Sequence, residues 1–295
     1  MHISAASACT GVHNTPRFWL HRIATAAVVI VLLIVGSSAY LRQAALRFSC
    51  TDWPACTIRV AGEDPVAAQP AAARVVRLVH RISASVAGAA VLLIVFLSSV
   101  QRPRVRTDIV LSSALLLLTV FLAVLGRWSR QSQAPLVTLG NLLGGMALLT
   151  LLYWTRLRAA PTRAQPQGAS PLAPVAAAAL ALAFADIAMG AVLSGSHLFG
   201  TGRDGMLALA HMGVGLFVLG LTGVLALRPA VPPGRRLAGI VAFTLAIAQA
   251  MTGWISATFD FPLGAALAHN LIAALLLIAL ATGAYRGASA TGMQA

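Results

Sequence analysis

Residues 205–227 read GMLALAHMGVGLFVLGLTGVLAL. No position in this run carries a formal charge, and its one ionisable side chain is His211. A helix needs about 20 mostly apolar residues to cross a bilayer, and this run is long enough. The pattern recurs at 18–40, 75–98, 109–126, 136–154, 172–194, 237–258 and 263–285, which makes eight candidate spans. Composition agrees, with 59% of the 295 residues hydrophobic and only 9% charged. A soluble domain carries roughly 25% charged residues, and disorder requires low hydrophobicity, so both classes are excluded. The expected fold is an all-α polytopic membrane protein.

All 21 basic residues are Arg, and the net charge is +14. In a soluble chain that excess would point to nucleic acid. Here the arginines lie between apolar runs, so they are read as topology signals facing lipid, with no nucleic-acid partner. With the N-terminus inside, the cytoplasmic segments carry twelve arginines and the opposite side seven, the remaining two lying within helix 2. The bias predicts both termini cytoplasmic, in a bacterial-type inner membrane. Ser37-Ser38-Ala39 could mark a cleavage site, but the apolar core at 23–41 is long for a signal peptide, so helix 1 is read as retained. The longest outer loop, 41–74, holds Cys50 and Cys56, where a disulfide is chemically permitted. Cys9 falls on the cytoplasmic side, as a free thiol.

The chain divides into residues 1–158, an Ala/Pro/Gln-rich linker at 159–174, and residues 175–295. Four helices followed by four predict a pseudo-twofold pair of four-helix bundles. His80, His211 and His269 lie a few residues into helices 2, 6 and 8, all roughly 8–10 Å below the outer surface at about 1.5 Å rise per residue. The matching place on helix 4 falls at 140–142, where the ligand-capable side chain is Asn141. One turn after each position stands a small residue: Ala84, Gly145, Gly215 and Ala273. Such residues could form a shelf for a flat macrocycle, and they are also common at membrane helix contacts.

A histidine inside a membrane is a functional-site candidate, the alternative being an interhelical hydrogen bond. His211 and His269, at matched depth in one bundle, suit the two axial positions of a haem. Zinc would need a Cys, Asp or Glu at that depth to complete its shell. Asp186, deep in helix 5, fits either a proton path or a hydrogen-bonded helix contact, with Gln249 as a possible partner. A homo-oligomer is compatible with all of this.

Residues 48–56 read FSCTDWPAC, and helix 2 opens with Arg77-Leu78-Val79-His80-Arg81. With eight helices and paired histidines, the chain resembles the haem A synthase family of cytochrome oxidase assembly over nearly its whole length. That family has a CPDWPxC-type loop and an HR pair opening helix 2. The resemblance implies oxidation of a ring methyl of haem O to a formyl group. It implies a substrate haem in the N-terminal half with His80 as axial ligand, and a haem b in the C-terminal half on His211 and His269. Cys50 and Cys56 match the family's outer-loop cysteine pair, associated with redox chemistry or haem transfer. The implied partners are haem O, or the synthase delivering it, and an electron acceptor.

Two positions depart from the family pattern, both in the N-terminal half. Its ExxHR glutamate is replaced by Arg77, and its helix 4 histidine is absent. Arg77, Arg81 and Arg42 stand near the level where haem propionates would turn toward water, and a guanidinium fork suits a carboxylate. They would equally serve as interfacial snorkelling groups. The leading expectation is a haem A synthase-type oxidoreductase. The alternative is a catalytically silent relative that binds haem b and acts in haem handling or oxidase assembly.

Overall fold

The computed structural model describes residues 15–48, 71–128, 135–161, 171–196, 204–228, 233–259 and 262–285. Every element among them is helical: α1 (Thr15–Phe48), α2 (Ala71–Val100), α3 (Arg106–Trp128), α4 (Pro135–Ala159), α5 (Ala173–Ser196), α6 (Asp204–Leu227), α7 (Pro233–Thr258) and α8 (Leu263–Ala284). All eight are long and apolar enough to cross a membrane. Their surface fits that reading, since large apolar side chains face outward along whole helices: Leu117 is 72% exposed and Phe217 60%. In water such a surface would aggregate, whereas against lipid tails it costs nothing. The chain is a multi-pass membrane protein.

Helix starts follow local chemistry. α4 and α7 begin on Pro135 and Pro233, and Pro262 caps α8. Proline suits a helix start because its fixed φ is already helical and its missing N–H is not needed there. α3 has Asp108 in its first turn and α4 has Arg156 and Arg158 in its last, each sign matched to the helix dipole. α1 continues past its apolar run to Phe48, because no Gly or Pro interrupts 41–48.

The packing repeats. In the first half α1, α2, α3 and α4 form a closed ring of neighbours, and in the second α5, α6, α7 and α8 do the same. α1 meets α8, α5 meets α4, and α4 meets α8 between the rings. That pattern maps onto itself when α1–α4 are exchanged for α5–α8, as a pseudo-twofold requires. α1 supplies Leu20, Ala24, Ala27, Val31 and Val35 to a core shared with both halves, so it is integral to the fold. Within each ring the even-numbered helices lie diagonally, with no close backbone approach among the described residues. The expected histidine helices α6 and α8 are one diagonal, and α2 and α4 the other.

Polar contacts fix the ends. Arg158 Nε lies 2.7 Å from Asp108 Oδ1, Gln101 donates to Asp108 Oδ2, and Arg17 donates to the carbonyl of Arg158. One carboxylate therefore ties α3 and α4 to Gln101, the residue that follows α2, and α1 joins through Arg17. Between the halves, Tyr153 pairs with Thr282 and Trp154 donates to the carbonyl of Ala281. At the opposite end Arg42 donates to Asn270 Oδ1 at 2.9 Å.

Candidate functional site

Each of the three histidines is held by an acceptor on the helix that precedes it. Ser37 of α1 spends its hydroxyl proton on the carbonyl of Ile34, and its oxygen lies 3.0 Å from His80 Nδ1. Asp186 of α5 places Oδ1 2.8 Å from His211 Nδ1. Gln249 of α7 offers its carbonyl to His269 Nδ1 at 3.1 Å, with Thr252 Oγ1 at 3.2 Å. His80 and His269 therefore donate through Nδ1, while His211 Nδ1 and Asp186 Oδ1 are a close charge contact at 2.8 Å with no aligned hydrogen bond. The Nε2 of His269 accepts from the Gln249 amide, and each Nδ1 faces an oxygen of the preceding helix. That is the orienting pattern of metal-ligating histidines.

Glycines make room for the two rings in the second half. A Cβ on Gly190 would lie 3.0 Å from Cε1 of His211, and one on Gly253 would lie 3.1 Å from Cε1 of His269. Each imidazole thus lies against bare backbone of its neighbouring helix. The relation is reciprocal on α5 and α6, because a Cβ on Gly215 would face Asp186 Oδ2 at 3.6 Å. Four residues separate Asp186 from Gly190 and His211 from Gly215, so each glycine lies one turn along from the partner of the residue it accommodates.

His211 and His269 sit on diagonal helices of one ring, close enough to feel each other's charge and that of Asp186. His269 Nε2 accepts from the side-chain amide of Gln249 at 2.9 Å, while Gln249 Oε1 is buried with no partner among the described residues. An orphaned buried acceptor beside a histidine is costly. It fits a site completed by a further group between α6 and α8. Two oriented imidazoles on a diagonal leave a place for a group held between them, where the Gln249 amide now meets His269 Nε2.

The first half differs. Gly126 and Gly253 each stand nine residues before the proline that opens or caps the next helix, Pro135 or Pro262. On that register Leu122, Leu125 and Leu142 replace Gln249, Thr252 and His269. Leu125 and Leu122 pack tightly on Gly140 and Gly144 of α4, and Leu142 is buried in the core. The positions that match the His269 site are therefore filled by leucine. Asn141 stands half-buried on α4, next to Leu142.

The other expected site residues divide. Arg42 and Arg77 both lie close enough to His80 for their charges to bear on it, and Arg81 is exposed. Arg42 reaches Asn270, the neighbour of His269, and Ser38. Cys50 and Cys56, with the expected disulfide, lie outside the described residues. The Asp186–Gln249 pairing does not form: Asp186 meets His211, and Gln249 meets His269. The four small residues are not one shelf either. A Cβ on Gly145 would meet nothing and Ala84 is exposed, but Gly215 backs onto Asp186 and Ala273 is buried. Ser37, Gly190, Gly253 and Thr252 carry no signal of their own in the sequence, except that the repeated Asp/His-x-x-x-Gly spacing at Asp186–Gly190 and His211–Gly215 points to Gly190.

Eight spans in two four-helix rings, with histidines oriented inside them, define a class of polytopic membrane protein built around intramembrane imidazoles. Residues 18–201 match the family model of the COX15-CtaA cytochrome oxidase assembly protein, and the chain belongs to that family. It is also 32% identical over 159 residues to a haem A synthase of Shewanella oneidensis. That match covers 49% of this chain and 46% of the relative, so it spans about half the length of each.

Proposed function

We propose that this protein is a haem A synthase-type oxidoreductase of cytochrome oxidase assembly, which converts a ring methyl of haem O to a formyl group. Haem b would be held between His211 and His269, and the substrate haem O by His80. The observation that carries this reading is the paired, glycine-cleared orientation of His211 and His269 across the α6–α8 diagonal. Family membership and the Shewanella relative's name support it. A bound haem b supplies one-electron chemistry beside the substrate. The chain's own residues orient the ligands: Ser37 would fix the ring of His80, and the leucines at 122, 125 and 142 fill the α3–α4 seam with apolar side chains. Arg42 and Arg77 supply positive charge for propionates. Cys50 and Cys56 would act as a dithiol–disulfide pair beside the substrate haem. The orientation proposed for the membrane puts both termini in the cytoplasm.

One observation favours a second reading. Arg77 stands where the family has glutamate, and Leu142 or Gly140 where it has histidine, so the catalytic half departs from the pattern. A catalytically silent member would bind haem b alone. Co-expression with a haem O source separates the two. The synthase reading expects haem A, or its hydroxylated precursor, in the membranes, abolished by His80→Ala. Haem b without either product would support the silent reading.

A further inference from the structure

Asp186 is the one acid within the membrane-spanning part of the second half, and a carboxylate there is expensive unless it has a partner. Its side chain is 15% exposed and lies 2.8 Å from His211 Nδ1. The surrounding backbone is shaped around this pair. Gly190 leaves room for the His211 ring, so a side chain there would press on it, and a Cβ on Gly215 would come into ordinary contact with the Asp186 carboxylate. The acceptors at the other two histidines are neutral: a serine hydroxyl at His80, and a backbone carbonyl with a threonine hydroxyl at His269.

We propose that Asp186 is a positioning residue for haem b, which gives His211 the character of an anionic imidazole ligand and sets the haem at a low reduction potential. This rests on the reading of His211 and His269 as the haem b ligands. Across the 2.8 Å contact the carboxylate would draw on the Nδ1–H, hold Nε2 toward the bound haem, and push electron density onto the ring. A more basic axial ligand stabilises ferric over ferrous iron. The two axial ligands are therefore unequal, His211 charge-assisted and His269 not.

The test is redox titration of haem b in the purified full-length protein, comparing wild type with Asp186→Asn. The amide keeps the size and removes the charge. The expected result is full haem b content with a higher midpoint potential, by at least the tenfold change in ferric-to-ferrous preference that corresponds to about 59 mV for a one-electron couple. An unchanged potential with haem b still bound overturns the proposal and leaves the ligand assignment standing. Haem b retained by both His211→Ala and His269→Ala overturns the ligand assignment itself. Should Asp186→Asn fail to fold, near-infrared magnetic circular dichroism of the wild type decides. A ligand-to-metal band displaced from that of two neutral imidazoles supports the proposal, and a band matching two neutral imidazoles overturns it.

Discussion

Gly190 and Gly253 touch nothing chemical, yet each decides whether a histidine ring fits. A methyl group at either position would meet an imidazole carbon at about 3.0 Å, and overpacking of this kind costs typically 1–3 kcal/mol. Gly190→Ala and Gly253→Ala should each lower haem b content per chain, measured by pyridine haemochrome, while Gly213→Ala, which meets nothing, should not. At this scale the sequence shows which residues are unusual but not which of them meet. His211, His269 and Asp186 stand out because ionisable groups in apolar runs are rare. The pairing of Asp186 with His211 rather than Gln249 depends on helix rotation, which composition and depth do not determine. Ser37 is invisible for the same reason, since a serine in a membrane helix carries no signal until a histidine is placed beside it.

Among the elements, α6 and α7 come into direct backbone contact where Gly239 lies over the backbone of Leu225. A Cβ there would come within 2.5 Å of the Leu225 carbonyl oxygen. Close backbone approach through small residues drives helix association in a bilayer. Gly239→Ala should therefore cost roughly 1–3 kcal/mol or more, seen as a lower unfolding temperature in detergent. Gly220→Ala, with nothing within 4 Å, should be neutral or slightly stabilising. The Asp108–Arg158 pair offers a second check. Its side chains are mostly buried and it joins α3 and α4 of the first ring, with Gln101 bonded to the same carboxylate. A double-mutant cycle of Asp108→Ala and Arg158→Ala should show a coupling of about 0.5–3 kcal/mol; a coupling near zero would remove this pair from the account of the bundle. All eight helices are legible from hydropathy because lipid demands long apolar runs. Their ends are less so. α1 runs on to Phe48 and α2 begins at Ala71, since hydropathy marks the part in lipid and not the part that stays helical beyond it.

At the scale of the whole molecule, two rings share one architecture and have diverged in chemistry. The second keeps polar, oriented groups at His211 and His269, while the first keeps His80 and fills the matching α3–α4 seam with leucine. The four-plus-four division was readable from the spacing of spans. The α4–α8 contact on the pseudo-axis was not, because lipid-facing and bundle-facing sides of such uniformly apolar helices look alike in sequence. Arg42, reaching from near His80 to the neighbour of His269, is the polar link between the two sites. The central claim is that haem b sits between His211 and His269. The most direct measurement is haem b per chain, by extraction and chromatography, for the wild type, His211→Ala and His269→Ala purified after co-expression with a haem O source. The account expects about one haem b per wild-type chain and its loss from both variants. Haem-free wild-type protein, or haem b retained in both variants, would contradict it.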